Sequence, residues 1–336
     1  MMRLPKVEYI APASVKEACS VLDGHGPQAR ALGGGTDLLV GLKLRNVTPA
    51  LLVALSNIKE LKGIRSNGQG GLVIGAMTSL HDIRENSLIA QSYPALAQAA
   101  TAVGAAQLQY MGTIGGNLCL NTRCVYYNQS DSWRKSRTVC FKMGGDVCHA
   151  VPKGKKCFAV FSGDTAPALI ALDARVKLIS QKEERTIPLQ ALYTNNGKEP
   201  AAIGPGEILS EIHIPPPTVK QESLYCKYRI RQSVDFPLAG VAVRMDSKEE
   251  GTCTECSIVL TGLNPAPTEV PEAQSLLKGK ALTSDLIDQA VEKVVKAAHP
   301  VENLPGASPA YRRHMAGVLA RRALGAVASN LGLIQC

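Results

Sequence analysis

Two glycine-rich turns, about 80 residues apart, constrain the fold of this chain more than any other feature. The first has the sequence Gly33-Gly34-Gly35-Thr36-Asp37 and the second spans residues 112–117; each follows an apolar segment. Consecutive glycines let successive backbone N–H groups converge, which makes a concave site for a phosphate oxygen. A helix that begins at Thr36 or Asp37 would add the positive end of its dipole. The two turns could therefore clamp a diphosphate from both sides, unless each is an ordinary tight turn.

Composition narrows the class of protein to which the chain belongs. Its 336 residues are enough for two or three domains, and 45% hydrophobic with 19% charged residues is ordinary for a globular protein. No apolar run approaches the ~18 residues of a membrane span, and the first residues lack the apolar stretch of a signal peptide. We therefore expect no membrane association and a cytoplasmic location.

The order of the predicted elements suggests a domain boundary near the middle of the chain. Helical and strand patterns alternate in the first part, up to Pro215-Pro216-Pro217. Beyond these prolines, strand patterns are followed by helical ones, which is typical of a separate α+β domain. Neither glycine turn matches the G-x-G-x-x-G fingerprint or a Walker loop, so the sequence does not predict a Rossmann or P-loop fold.

Residues 119–158 interrupt this regular pattern. Five of the ten cysteines lie within 39 residues, and the net charge between Arg123 and Phe158 is +6 of the total +9. A structureless segment of this length is unusual unless something holds it in place. In a reducing compartment, clustered cysteines indicate metal binding or redox work more than disulfides. Aromatic residues make up only 4% of the chain, which argues against nucleic-acid binding through stacked bases.

The glycine turns, together with Gly163-Asp164 further along, resemble the flavin subunit of the xanthine dehydrogenase and carbon monoxide dehydrogenase family. The resemblance covers nearly the whole chain and implies that FAD is bound without a covalent bond. In that family both turns hold the FAD pyrophosphate, an acidic residue contacts the FAD, and further residues lie near the flavin ring. Carried over to this chain, the FAD-binding residues would be Leu32, Gly33, Gly34, Gly35, Thr36, Asp37, Thr113, Gly115, Gly116, Asn117, Asp164, Leu209 and Lys227.

The cysteine-rich segment resembles that of one branch of the family, the β subunit of 4-hydroxybenzoyl-CoA reductase, in which such an insert binds a [4Fe–4S] cluster. The resemblance makes Cys124, Cys140, Cys148 and Cys157 the expected ligands, with Cys119 as the rival for the first position. A structural zinc is the alternative for four thiolates, but zinc ribbons usually carry C-x2-C pairs and this quartet has none. The surrounding Lys and Arg could balance the charge of a cluster or could dock an acidic donor such as ferredoxin.

The resemblance also implies an architecture and partners. We expect an α+β fold, with a two-subdomain FAD-binding module of the vanillyl-alcohol oxidase (PCMH) type over residues 1–217 and a C-terminal α+β domain over residues 218–336. The subdomains would span about 1–56 and 57–217, with the insert at about 119–158. A large subunit with the molybdenum-pterin cofactor and a small subunit with [2Fe–2S] clusters would complete the enzyme as a dimer of heterotrimers.

Three functions remain to be compared. The branch resemblance implies reductive removal of a phenolic hydroxyl, with electrons from ferredoxin. The wider family implies a xanthine- or aldehyde-type dehydrogenase that passes electrons outward to NAD. A zinc-stabilised scaffold that binds nucleic acid is the third. Two further expectations concern the C-terminal part: the side chains of Cys253 and Cys256 point to opposite faces of a strand, and Arg312, Arg313, Arg321 and Arg322 form one solvated helix face.

Overall fold

The computed structural model describes residues 3–247 and 251–334. Its first unit is a small parallel sheet with the strand order β1-β3-β2, flanked by two helices. Ser14 caps the first helix, because its hydroxyl accepts a hydrogen bond from the N–H of Glu17 at 3.2 Å. The elements of this unit are β1 (Glu8–Ile10), α1 (Val15–His25), β2 (Ala29–Leu32), α2 (Leu38–Lys43) and β3 (Leu51–Ala54).

The second unit is a five-stranded antiparallel sheet with the order β4-β5-β8-β6-β7. A bundle of short helices packs on it, and their apolar side chains form the largest core of the described residues. The strands are β4 (Ile64–Ser66), β5 (Leu72–Gly75), β6 (Arg175–Ile179), β7 (Glu184–Pro188) and β8 (Ile208–Ile214). The helices are α3 (Leu80–Glu85), α4 (Ser87–Ser92), α5 (Pro94–Ala102), α6 (Ala106–Met111), α7 (Ile114–Leu118), α8 (Asp131–Lys135) and α9 (Thr165–Ala171).

The third unit is a four-stranded antiparallel sheet, β12-β11-β10-β9, covered on one face by three helices. Its strands are β9 (Gln221–Tyr228), β10 (Ala239–Ser247), β11 (Cys253–Thr261) and β12 (Thr268–Glu269), and its helices are α10 (Pro271–Leu277), α11 (Ser284–Ala297) and α12 (Pro309–Asn330). Strand β10 is buried on both faces, since Val241 and Val243 join the core under the helices, whereas Ala242 joins the core of the second unit. The C-terminal sheet is therefore packed directly against the second unit.

The arrangement of the two C-terminal cysteines differs from the expectation. The pairing of β10 with β11 shifts between Asp246 and Ser247, so that Ser247 pairs with Cys253 and leaves Thr254 as an extra residue. A β-bulge of this kind reverses the alternation of side chains beyond it. Cys253 and Cys256 are consequently both buried in the same core, and the prediction that they point to opposite faces was wrong.

Arg312 was also wrongly placed on a solvated helix face. Its side chain is 0% exposed, and its guanidinium donates to the carbonyls of Leu238, Val301 and Gly262 at 3.1, 3.0 and 2.6 Å. It also donates to Asn303 Oδ1 at 3.2 Å. These carbonyls lie around the first turn of α12, and a long side chain with several donors satisfies them together.

Among residues 3–247 and 251–334, no helix combines the length and the apolar composition that crossing a bilayer requires.

Candidate functional site

The first glycine turn lies between β2 and α2 and offers free hydrogen-bond donors. Gly35 has φ +75°, a conformation that favours glycine and turns the chain into the helix. Helix α2 begins at Leu38, with Asp37 as its N-cap residue. In the described part of the chain, the N–H groups of Gly34, Gly35 and Thr36 donate to no protein acceptor. Unpaired backbone donors at the start of a helix are what a bound anion requires.

The second glycine turn packs against the first. A Cβ atom built on Gly34 would lie 1.6 Å from the carbonyl oxygen of Met111, and one on Gly33 would lie 3.1 Å from Thr113 Oγ1. Such contact between backbones is possible only where one partner lacks a side chain. The structure therefore brings together two turns that are far apart in the sequence, as their glycine content predicted.

The glycine N–H groups of the second turn already have acceptors. Gly115 donates to the carbonyl of Ala76 at 2.8 Å, and Gly116 donates to the hydroxyl of Thr113 at 3.1 Å. The side chain of Asn117 is buried and accepts hydrogen bonds from the N–H and the hydroxyl of Thr165, at 3.1 and 2.7 Å. The second turn is thus held in place by its own hydrogen bonds, next to the free N–H groups of the first turn. Its glycines allow the backbone to pack closely against Ala76 and Thr113.

Arg123 connects the cysteine-rich insert to the first turn. Its guanidinium forms an ion pair with the carboxylate of Asp37 and lies over the ring of Phe236, 4.5 Å from the ring centroid. Burial lowers the pKa of Arg123 to about 10. Its Nε is buried without a hydrogen-bond acceptor. An orphaned guanidinium nitrogen and the free N–H groups make this turn a suitable site for an anion such as the FAD pyrophosphate.

The other expected flavin residues centre on Asp164, which lies beside the second glycine turn because its neighbour Thr165 donates to Asn117 Oδ1. Asp164 is the N-cap residue of α9, and its carboxylate accepts hydrogen bonds from Tyr225 Oη at 2.7 Å and Lys227 Nζ at 3.0 Å. Burial raises the pKa of Asp164 and lowers the pKa of Lys227, in both cases against the attraction between the two charges. Leu209 is buried in the core of the second unit. The Asp164–Lys227 pair also fixes β9 to the second unit.

The four expected cluster ligands line one cavity. Cys124, Cys140, Cys148 and Cys157 all contribute to its wall, whereas Cys119 does not. The rest of the wall is formed by neighbouring insert residues: Tyr126, Phe141, Lys142, Val147, His149, Ala150, Phe158 and Ala159. Burial raises the pKa of Cys124 to about 11 and also raises the pKa of Cys157. Cys124 and Cys157 would therefore remain protonated near pH 7 unless a bound cation stabilised their thiolates.

A tight loop places the two middle cysteines on this cavity. Phe141 and Gly145 donate to the carbonyls of Val147 and Cys140, at 2.9 and 3.0 Å. A Cβ atom on Gly145 would lie 1.8 Å from the carbonyl oxygen of Val139, so glycine is required there. The loop therefore reverses between Cys140 and Cys148 and brings both to the same wall.

Lys142 places a buried positive charge beside the four thiols. Its Nζ donates to Asn121 Oδ1 at 2.8 Å, to Thr122 Oγ1 at 2.6 Å and to the carbonyl of Gly197. All three donors of the ammonium group are thus used, and burial lowers the pKa of Lys142 to about 8. A cation in this position favours the ionisation of nearby thiols to thiolates.

Protein contacts hold the insert in place on two sides. Arg134 is buried and donates to the carbonyls of Leu44 and Arg45, at 3.2 and 2.9 Å, and to Asn46 Oδ1, all just beyond α2. On the other side Asn303 accepts from the N–H of Val125 at 2.7 Å. The insert is therefore part of the folded body, and the segment without hydrophobic periodicity is ordered by polar contacts.

No three His, Cys, Asp or Glu side chains in residues 3–247 and 251–334 are arranged to hold a single metal ion. A tetrahedral zinc site with Zn–S bonds of about 2.3 Å would bring its sulfur atoms to within roughly 4 Å of one another. A cluster of four iron atoms spreads its thiolates further apart.

The sequence did not point to Arg123, Lys142 or Arg134 individually, although all three were counted in the basic lobe. Their charges were assigned to cluster balance or ferredoxin docking, whereas each side chain contacts acceptors inside the protein, and Arg134 is buried. Only the position of Arg123, directly before the first expected ligand, could have singled it out.

Comparison with known proteins agrees with this architecture. Residues 5–217 match a family model described as the FAD binding domain in molybdopterin dehydrogenase, and residues 224–327 match the CO dehydrogenase flavoprotein C-terminal domain. The carbon monoxide dehydrogenase medium chain of Hydrogenophaga pseudoflava is 31% identical over 96% of this chain and 97% of its own length. The aldehyde oxidoreductase FAD-binding subunit of Escherichia coli is 31% identical over 88% of this chain and 91% of its own.

Solved structures give the same result. A chain of carbon monoxide dehydrogenase from Hydrogenophaga pseudoflava superposes with a TM-score of 0.80 at 29% identity, covering 97% of this chain and 98% of the other. The prediction of an FAD-binding module followed by a C-terminal α+β domain is confirmed. With a family model that matches well over half of its residues, this chain belongs to the FAD-binding subunits of the molybdenum hydroxylase family, of the carbon monoxide and xanthine dehydrogenase type.

Proposed function

We propose that this subunit holds a [4Fe–4S] cluster as well as FAD, and that Cys124, Cys140, Cys148 and Cys157 are the ligands of the cluster. The proposal is supported by one observation above all: four cysteines from a stretch of 34 residues line one cavity, together with the ammonium-bearing side chain of Lys142. When bound, such a cluster supplies a one-electron carrier next to a flavin that exchanges one or two electrons. The residues of this chain contribute the thiolates, a compensating charge and a rigid frame.

FAD would be held at the two glycine turns. The N–H groups of Gly34, Gly35 and Thr36 are free to donate to a pyrophosphate. Gly115 and Gly116 are proposed to border the same site from the second turn, which packs closely on Gly34. The two turns are completed by Leu32, Gly33, Asp37, Thr113 and Asn117. The other proposed FAD-binding residues, outside the turns, are Asp164, Leu209 and Lys227. Since Asp164 and Lys227 pair with each other, we expect their effect on FAD to be largely indirect.

Serine variants test the ligand set. Each of Cys124→Ser, Cys140→Ser, Cys148→Ser and Cys157→Ser should lower bound iron and acid-labile sulfide in the anaerobically purified full chain. Cys119→Ser is the matched control, because Cys119 lies close by in sequence but outside the cavity wall, and it should retain both. Loss of iron in Cys119→Ser with retention in Cys124→Ser would show that the first ligand is misassigned.

Assembly and direction of electron flow form the second part of the proposal. We infer a complex with a molybdenum-pterin large subunit and a [2Fe–2S] small subunit, which reductively removes a phenolic hydroxyl as 4-hydroxybenzoyl-CoA reductase does, with a ferredoxin-like donor. The resemblance of the insert supports this direction. The names of the relatives, which include dehydrogenases for carbon monoxide and xanthine, favour the alternative of outward flow to NAD or another acceptor. Turnover of the purified complex with reduced ferredoxin, compared with NAD, decides between the two.

Two exposed lysines of the insert allow a test of ferredoxin docking. Lys153 and Lys155 are solvent-exposed, whereas Lys156 is partly buried and donates to the carbonyl of Asn195 at 2.7 Å. The double variant Lys153→Gln/Lys155→Gln should slow reduction by an acidic ferredoxin at low salt and leave reduction by a neutral viologen unchanged. The difference should vanish at high salt, because the Debye length falls from about 10 Å at 0.1 M to about 3 Å at 1 M. Equal slowing with both donors at every salt concentration would rule out docking.

A further inference from the structure

Arg123 lies where the two ends of the insert meet. Its N–H donates to the carbonyl of Val160 at 2.7 Å, and its carbonyl accepts from the N–H of Val160 at 2.8 Å. The pair forms an isolated antiparallel bridge that closes the insert, just before Cys124 and just after Cys157. The backbone position of Arg123 is therefore tied to the order of the whole insert.

The side chain of Arg123 reaches the first glycine turn. Its ion pair with Asp37 is mostly shielded from solvent, with the two side chains 15% and 29% exposed. The ring of Phe236, from the C-terminal part of the chain, covers the guanidinium face. Arg123, which belongs to the insert, thus contacts both the first glycine turn and the C-terminal part of the chain.

The carboxylate of Asp37 is committed to this pair. Although Asp37 is the N-cap residue of α2, its side chain makes no capping hydrogen bond. The guanidinium of Arg123 has no other hydrogen-bond acceptor or ion-pair partner among the described residues, and its Nε is already without one. Displacement of either the turn or the insert would leave a poorly solvated charge unpaired, which is costly. Each of the two segments is therefore most stable when the other is in place.

We propose that Arg123 is a positioning residue that couples the insert to the FAD site, so that FAD binding and ordering of the insert strengthen each other. FAD fixes the first turn and with it the carboxylate that Arg123 requires, and an ordered insert presents Arg123 to Asp37. Because such coupling is reciprocal, FAD should protect the insert to the same degree that an ordered insert tightens FAD binding. The inference rests on the proposed role of the first turn in FAD binding, and it does not depend on what the four cysteines hold.

The test compares FAD affinity and trypsin cleavage in deflavinated full chain. Lys135, Lys153 and Lys155 are exposed trypsin sites within the insert. In the wild type, saturating FAD should slow cleavage at these sites at least about fivefold, the lower end of typical coupling. Arg123→Met and Asp37→Asn should each lose most of this protection and weaken FAD binding by a similar factor. The double variant should be no worse than the single variants, because all three lack the same pair.

Arg137→Met is the matched control, because Arg137 is an exposed arginine of the same insert whose side chain stacks only on Trp133, at 4.3 Å. It should keep the full protection by FAD. Protection by FAD that persists unchanged in both Arg123→Met and Asp37→Asn would overturn the coupling. Iron content, measured in parallel, separates the two proposals: a chain without iron but with FAD-dependent protection refutes the cluster and keeps the coupling. A chain that contains iron but shows no FAD-dependent protection refutes the coupling and keeps the cluster.

Discussion

Breaking the buried ion pair between Asp164 and Lys227 should destabilise the protein more than any exposed pair. The two side chains are only 3% and 5% exposed, and among the residues that the structure describes Lys227→Met would leave Asp164 with Tyr225 as its one side-chain donor. Removing one partner of a buried pair typically costs about 3–5 kcal/mol, since the remaining charge stays unsolvated. We expect the free energy of unfolding of Lys227→Met to fall by up to that amount at pH 8, where the carboxyl of Asp164 is most fully ionised.

The loss in the free energy of unfolding of Lys227→Met should also depend on pH. Burial already raises the pKa of Asp164 above its ordinary value, and Lys227 is the main influence that lowers it. Without Lys227 the pKa of the folded state should rise further, so the carboxyl takes up a proton at a higher pH than in the unfolded chain. The unfavourable contribution is therefore complete above the raised pKa, and it declines as the pH falls from that pKa towards the pKa of the unfolded chain. Asp164→Asn/Lys227→Met should show no such recovery.

Urea unfolding of the full chain, followed by far-UV circular dichroism between pH 5 and 8, measures both effects. Lys177→Met is the control, because the pair of Lys177 with Glu184 is at the surface, with side chains 28% and 52% exposed. That variant should lose no more than about 1 kcal/mol. The reasoning is refuted if Lys227→Met costs no more than Lys177→Met, or if its stability is independent of pH.

Three further changes test the surrounding framework. Gly34→Ala should separate the two glycine turns and yield flavin-poor protein, because its Cβ would lie 1.6 Å from the Met111 carbonyl oxygen. Its control is Gly24→Ala, where nothing lies within 4 Å of the added Cβ; this variant should keep its FAD and stabilise α1 by about 0.5–1 kcal/mol. Arg312→Met should cost at least about 3 kcal/mol in urea unfolding, since it leaves several buried carbonyls unpaired, whereas Arg321→Met, whose side chain is 56% exposed, should stay within about 0.5 kcal/mol of the wild type. Arg134→Met should release the insert from residues 44–46, seen as faster trypsin cleavage after Lys135 with little change in the cleavage of other regions. Unchanged cleavage would mean that other contacts suffice to order the insert.

The sequence predicted the parts of the fold that depend on local chemistry. The glycine turns carried the family resemblance that implied a flavin module, and a proline run followed by blocks of strands and helices indicated a separate α+β domain. These local patterns were informative because backbone conformation at Gly35, and close approach at Gly34, are properties of single residues. The four cysteines were selected through their number and their resemblance to a known insert; they line one cavity, and their role as cluster ligands stays a prediction.

Side-chain partners across large sequence distances could not be predicted in the same way. Arg312 is buried because four separate acceptors surround it, and nothing in its own helix indicates them. Cys253 and Cys256 share a face only because the bulge between Asp246 and Ser247 changes the register. The order of the insert likewise depends on long-range polar contacts such as that of Arg134 with Asn46, which hydrophobic periodicity does not record.

The proposed iron–sulfur cluster of this flavin subunit can be tested by combined analysis of flavin, iron, acid-labile sulfide and zinc in the full chain, purified without its partners under anaerobic conditions. We predict one FAD with about four iron and four sulfide atoms per chain and no stoichiometric zinc. One FAD with neither iron nor sulfide, before and after reconstitution with iron and sulfide, would contradict it, and one zinc per chain without sulfide would assign the four cysteines to a structural metal site instead.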